Sequence, residues 1–583
     1  MSVSADCDLP LTVEEAARAI REGALTSVEL TTALLERADR LDPRLGTYLA
    51  RFDDTALAAA RTADRELAEG LDRGPLHGIP VGIKDIFPTT EGPTTAQSAA
   101  LDAGWGGGVD APAVARLRAA GAVITGKVTT MELTLGTPDP AKPFPSPRNP
   151  WDLARWPGGS SSGSGNGVAA GLFLASLGSD TGGSIRLPAA FCGVTGLVPT
   201  YGVVPRTGAV PLAWTIDRVG PLARSVHDCA AVLDAIAGPD GLDRTCMARG
   251  EPLLGPAGTE LAGTGLVGTA LPGAGLDGIR IGVVREGHFP AGIDDGVRAT
   301  FDAAVSVLEG LGAVVTVETL PYQDEGLAAS LLLTATEAFT FHRTALGQRW
   351  EDFGRPARRS LAAGGLSSGA DYVQAQRVRA IIADAVAALF EKVDLLATPT
   401  SVIGAVRYDE HGEVALEETV GRVFTPYWNL MGNPLLAFPI GFTADGLPLS
   451  LQLAAAPLAE PLLVRAGQAY QQVTDWHLRQ PPLVTGDPER LPASSPPPSD
   501  HRSADAVAPT PTPTPSTETP GPDVAAVARR LADLGVHPTE PEVRAIAAAW
   551  IAGAPFREAL WAMGGPDGPE PAVAFSADRR LPH

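Results

Sequence analysis

Residues 157–202 read PGGSSSGSGNGVAAGLFLASLGSDTGGSIRLPAAFCGVTGLVPTYG. A Gly/Ser-rich loop runs into a helix of small residues, then a strand, then a second Gly-Gly-Ser turn. Two serines, Ser160 and Ser184, are delivered on two loops whose glycines reach backbone conformations closed to other residues. At the second turn Gly182 and Gly183 let consecutive backbone N–H groups converge on one point, which is how an anion nest or oxyanion hole is built. A phosphate-binding loop or a merely flexible loop shares this composition, so the flanking sequence has to decide.

Upstream, Lys84 stands in Gly82-Ile83-Lys84-Asp85-Ile86, among Ile79, Val81, Ile83 and Ile86. A charged lysine is costly to bury in a strand-like apolar run. Desolvation lowers the lysine pKa, and a neutral lysine is a competent base. The structural alternatives are a lysine paired with Asp85 or one reaching the surface.

Two other patterns compete for attention. Gly121-AVIT-Gly126-Lys127 matches most of a phosphate-binding loop, but Val128 stands where a Ser or Thr must ligate magnesium, so a strand and turn are expected. Gly159-Ser160-Ser161-Ser162-Gly163 fits G-x-S-x-G with Ser161 as nucleophile. That elbow needs a strand feeding it, whereas RNPWDLARWPG reads as a loop.

With these residues in place, the chain resembles the amidase signature family, serine hydrolases with a Ser-cisSer-Lys triad. Supporting matches are GPLHGIPVGIKD (74–85), DAPAVARLRAAGAVITGK (110–127), NPWDLARWPGGSS (149–161), LATPT (396–400) and FTADGLPLSLQL (442–453). Together they span roughly residues 10 to 480. The resemblance implies Ser184 as nucleophile, Ser160 as the bridging serine preceded by a cis peptide, and Lys84 as the terminal base. It also implies an oxyanion hole from the backbone N–H groups of Thr181, Gly182, Gly183 and Ser184. Asp180 and Arg186 bracket the nucleophile turn and are expected to hold it by an ion pair. Two positions depart from the family pattern: Ser162 replaces a Gly in GGSSGGS, and Val198 replaces the Lys of GLKPT.

The implied activity is cofactor-independent hydrolysis of a carboxylic amide through an acyl-enzyme, with a carbamate, urea or ester as related substrates. The alternative is the glutaminase subunit of a tRNA-dependent amidotransferase complex, whose triad is the same. No histidine lies at metal-ligand spacing to another ligand, so no metal or other cofactor is expected. His342 reads as a helix residue and Cys192 as packing.

Outward from this core, Thr12-x-x-Glu15 and Thr26-x-x-Glu29 are capping boxes, and residues 1–70 read as a helical entry to the body. The catalytic domain is expected over 71–484, an α/β fold with a large mixed central β-sheet flanked by helices. Within it, 278–320 reads as a β-α-β unit. ASSPPPSD and APTPTPTPSTETPGP make 485–522 a stiff proline-rich linker. Residues 523–583 read as a helical hairpin too small to stand alone, expected to dock on the body or to mediate a homo-oligomer.

Composition limits the partners. The 583 residues are 44% hydrophobic and 19% charged, a globular balance, and 45 Lys plus Arg against 67 Asp plus Glu give a net charge of −22. Such a surface repels phosphate backbones and anionic lipid, which counts against nucleic-acid or membrane partners and leaves a small-molecule substrate. The N-terminus carries no readable signal peptide and the four cysteines no C-x-x-C spacing, so a reducing cytoplasmic setting is the expectation.

Overall fold

The computed structural model describes residues 9–248, 250–254, 275–414, 422–486 and 524–563. Eleven strands of the described residues form one sheet: β1 (Tyr48–Arg51), β2 (Pro80–Lys84), β3 (Val123–Val128), β4 (Ala175–Asp180), β5 (Thr195–Val198), β6 (Arg218–Ala223), β7 (Arg280–Val284), β8 (Val314–Glu318), β9 (Leu395–Pro399), β10 (Leu435–Phe442) and β11 (Pro448–Ala455). Their order is β1-β3-β2-β4-β6-β5-β10-β11-β9-β7-β8. The sheet is mixed, and helices flank it: β3, β2 and β4 run parallel, as do β9, β7 and β8, while the strands between pair antiparallel.

Side-chain pattern explains the order. Strands β2 to β6 are buried at every position, as strands covered on both faces must be, whereas the edge strand β8 has only exposed and half-buried residues. Both N-terminal capping boxes form, with Thr12 accepting from Glu15 N and Thr26 from Glu29 N. The β-α-β unit also forms, β7 and β8 pairing in parallel around the helix Asp295–Gly310.

Two expectations need correction. The first 70 residues are not all helical, because Tyr48–Arg51 joins the sheet edge antiparallel to β3. The C-terminal segment is not a hairpin but three helices, Val524–Asp533, Glu540–Ala552 and Ala554–Met563. Gly553 ends the second, and Pro555 sits in the first turn of the third, where its missing N–H costs nothing. These helices lie on the same chain's helices Gln323–Gln348, Arg355–Gly364 and Gly369–Phe390. Leu531, Val536, Val543, Ile546 and Leu560 are buried there, so much of the apolar face that suggested a homo-oligomer is covered within the chain, while Ile551 and Trp561 stay exposed. Polar contacts fix the seat: Glu542 pairs with Arg358 at 2.5 Å, and Gln374 Nε2 donates to the Leu560 carbonyl at 2.8 Å. Of the proline-rich linker expected at 485–522, residues 487–522 lie outside the described residues, and Thr485 ends the short helix Pro482–Thr485.

Because β2 and β4 are parallel neighbours, their C-terminal ends open on the same side of the sheet. Lys84 is the last residue of β2 and Asp180 the last of β4. In open α/β sheets ligands bind outside the carboxyl ends of the strands.

Candidate active site

Lys84 has no exposed surface. Its Nζ lies 2.7 Å from Ser160 Oγ, 2.9 Å from Ser179 Oγ and 3.0 Å from Ser161 Oγ. Burial pushes its pKa down to about 7, against the opposing charges of Asp180 and Asp217. Among the described residues no carboxylate pairs with it. Asp85 instead pairs at 2.7 Å with Lys127, itself buried and lowered in pKa by that burial, with the Asp85 charge opposing. That pairing also accounts for the apparent phosphate-loop lysine.

Three hydroxyls suit either state of this amine. A protonated amine donates to all three, and a neutral one donates to two and accepts from the third. Ser161 spends its hydrogen on the Ser179 carbonyl at 3.1 Å, so the donor to a neutral Lys84 is Ser160 or Ser179. Fully buried and so engaged, Ser161 is not the exposed nucleophile of an elbow.

The GGSS loop enters through a cis peptide between Gly159 and Ser160. Ser162, the departure from the family pattern, donates to the Gly158 carbonyl at 2.7 Å and so closes the loop on itself. Val198, the other departure, is a buried residue of β5 paired with Leu435.

The turn carrying Ser184 is held from beneath by Asp180. Its carboxylate accepts from Gly183 N at 2.8 Å and Ile185 N at 3.0 Å, and pairs with Arg186 at 3.0 Å. Burial alone would raise this carboxyl's pKa, but the Arg186 and Arg218 charges and Asn429 hold it well below the usual carboxylate range. Arg186 also reaches Gln452 at 2.9 Å, and Gln452 reaches Thr398 at 2.9 Å, so LATPT and SLQL meet under the turn. Thr425 Oγ1 donates to the Gly182 carbonyl at 2.7 Å. Gly183 has φ +119°, and a Cβ there would stand 2.0 Å from Thr425 Oγ1.

The two serine loops are stitched together where Ser161 N donates to the Ser184 carbonyl at 3.1 Å. Ser184 is half-buried, Gly182 exposed, and among the described residues no hydrogen bond engages the Ser184 hydroxyl. Of the four amides expected to face an oxyanion, that of Gly183 donates to Asp180, and among the described residues no hydrogen bond engages those of Thr181, Gly182 and Ser184. Thr181 is fixed by its hydroxyl, which donates to the half-buried Asp217 at 2.5 Å.

Sequence reasoning missed Ser179, Ser161 as a lysine partner, Thr425, Asn429, Gln452 and Asp217. Ser179 and Gln452 lie inside segments that carry the family resemblance, but their contacts depend on strand pairing that no local pattern reveals. His342 is buried in its helix, and Cys192 is buried with its thiol pKa pushed up. Among the described residues no three His, Cys, Asp or Glu side chains converge on a metal position, and no helix is long and apolar enough to cross a membrane.

This fold and these two serine loops are those of an amide hydrolase, and residues 29–464 match the family model described as Amidase. The chain belongs to the amidase signature family and is an amide-hydrolysing enzyme. It is 42% identical over 496 residues to a glutamyl-tRNA(Gln) amidotransferase subunit of Roseiflexus sp. (strain RS-1), covering 81% of this chain and 98% of the relative. Among solved structures, one from a vestigial protein complex tied to the origins of an s-triazine catabolic enzyme superposes with TM-score 0.70. It is 33% identical, over 79% of this chain and 98% of that one. The native peptide amidase of Stenotrophomonas maltophilia gives TM-score 0.65 at 31% identity, over 79% and 98% of the two chains.

Proposed function

We propose that the chain cleaves the C–N bond of a carboxamide with Ser184 as nucleophile, Ser160 as proton relay and Lys84 as base. The observation that carries this reading is the buried Lys84 amine, with its pKa at about 7, 2.7 Å from Ser160 Oγ. Neutral Lys84 takes a proton from Ser160 as Ser160 takes one from Ser184, and Ser184 Oγ bonds to the carbonyl carbon. The oxyanion rests on the free amides of the Thr181–Ser184 turn. Lys84 returns the proton through Ser160 to the nitrogen, the C–N bond breaks, and ammonia or an amine leaves. Water, deprotonated by the same relay, then releases the acid and restores Ser184.

For the identity of the amide, the relatives support the alternative better than a stand-alone amidase: a glutaminase that draws ammonia from glutamine for the other subunits of an amidotransferase. The 42% identity extends over nearly the whole of a relative named as a subunit of such an enzyme. The observation favouring a stand-alone enzyme is that the family match ends at residue 464, while helices Val524–Met563 beyond it cover the body. Assays of the purified chain on glutamine and on simple primary amides, alone and with amidotransferase partner proteins, separate the two. Partner-dependent glutamine hydrolysis supports the amidotransferase role. Turnover of simple amides by the chain alone supports the stand-alone enzyme.

A further inference from the structure

Residues 206–217 form a loop whose two sides line different cavities. One, of about 220 Å³, reaches Ser179 and Thr181 of the candidate site. The other, of about 780 Å³, lies against the helix Gln323–Gln348 and the start of the helix Gly369–Phe390. Pro211, Leu212 and Trp214 line both, so the cavities meet at this segment.

The Trp214 backbone is pinned while its side chain stands in the open. Asp217 accepts from Leu212 N at 2.9 Å and Ala213 N at 3.0 Å. Tyr201 OH donates to the Trp214 carbonyl at 3.0 Å, Arg206 donates to the same oxygen, and Thr215 is bound through both its amide and its hydroxyl to Glu337. The Trp214 residue is nevertheless 69% exposed, and Phe341 across the larger cavity is 47% exposed. Glu337, the carboxylate on that wall, is engaged by Thr215 and by Tyr372 OH at 2.9 Å. The wall therefore offers rigidly mounted aromatic surface whose one carboxylate is already satisfied. A room of this size takes a group far larger than an amino-acid side chain.

We propose that Trp214 is a specificity-determining residue, and that the larger cavity receives an apolar, aromatic-sized group on the acyl side of the substrate. This rests on the carboxamide reading: when ammonia leaves, all remaining bulk of the substrate is acyl. An aromatic group stacked on Trp214 gains its affinity from burial and ring contact.

The test measures kcat and KM for acetamide, phenylacetamide and naphthylacetamide with the wild type, Trp214→Ala and Phe341→Ala. The wild type should favour naphthylacetamide over acetamide in kcat/KM. Trp214→Ala should lose about 10-fold or more on naphthylacetamide, through KM, and stay within about twofold on acetamide, as expected for one removed hydrophobic contact. Phe341→Ala should shift the same way and by less. Equal losses on acetamide and naphthylacetamide, or no loss on either, overturns the proposal. A Trp214→Ala chain with unchanged selectivity but a changed sedimentation coefficient makes this face a contact between copies and also overturns it. If none of these amides turns over, the stand-alone amidase reading fails, and calorimetric binding of naphthylacetamide decides: weakening of about 10-fold in Trp214→Ala sustains the subsite, and equal or absent binding overturns it.

Discussion

Lys84 Nζ lies 2.7 Å from Ser160 Oγ in a pocket from which both residues are shut off from solvent. The amine is surrounded by hydroxyls and not by an anion, so burial governs its pKa, and the neutral form is accessible near neutral pH.

The rate should follow that ionisation. In the free enzyme kcat/KM should rise tenfold per pH unit below about 7 and level off above it, as protonated Lys84 gives up its proton. Lys84→Ala should cost several orders of magnitude in kcat. Ser160→Ala should cost less, about 10²- to 10⁴-fold, because a water can replace part of the relay. A pH–rate profile under conditions where chemistry limits turnover checks this.

Stability should carry the same signature. The Lys84 pKa is lowered from an ordinary 10.5 to about 7, so between those values the unfolded chain binds more protons than the folded one. Its contribution to stability therefore rises with pH across that window, by up to ~1.4 kcal/mol per pH unit, and is flat below it. Lys84→Met should remove this slope. Denaturant unfolding of both chains at neutral and alkaline pH isolates the difference.

The Arg186–Asp180 pair is structural on this account. Both side chains are fully buried, and Arg186→Met leaves the carboxylate beneath the Ser184 turn without its main counter-charge. The loss should be about 3–5 kcal/mol of folding stability, read from the denaturation midpoint.

The C-terminal helices should matter to the surface more than to the chemistry. A chain ending near residue 486 keeps every residue of the candidate site but uncovers apolar surface around Phe339, Leu346 and Leu361. It should retain most of its kcat on a small amide while self-associating, as light scattering would report. A monomeric, folded truncation that has lost small-amide turnover would contradict this.

What the sequence made legible follows from range. The capping boxes at Thr12 and Thr26 and the β-α-β unit at 278–320 are local patterns, and they form as read. Lys84 stood out because a charge within an apolar strand is conspicuous anywhere. Ser179 did not, because it becomes a lysine partner only when β4 lies parallel beside β2. Gly183 misled for a related reason: its freedom suggested an open amide, while the amide is claimed by Asp180 three residues earlier. The third C-terminal helix escapes the hairpin reading of 523–583 because it starts at Ala554, directly after the Gly553 cap of the second, with no loop between them.

The most direct measurement is to treat the protein with a fluorophosphonate and map the modified serine by mass spectrometry, in the wild type and in Ser184→Ala. The account predicts a single adduct on Ser184, lost in the variant and suppressed in Lys84→Ala. An adduct on Ser161 or Ser162, or labelling that survives Ser184→Ala, would contradict it.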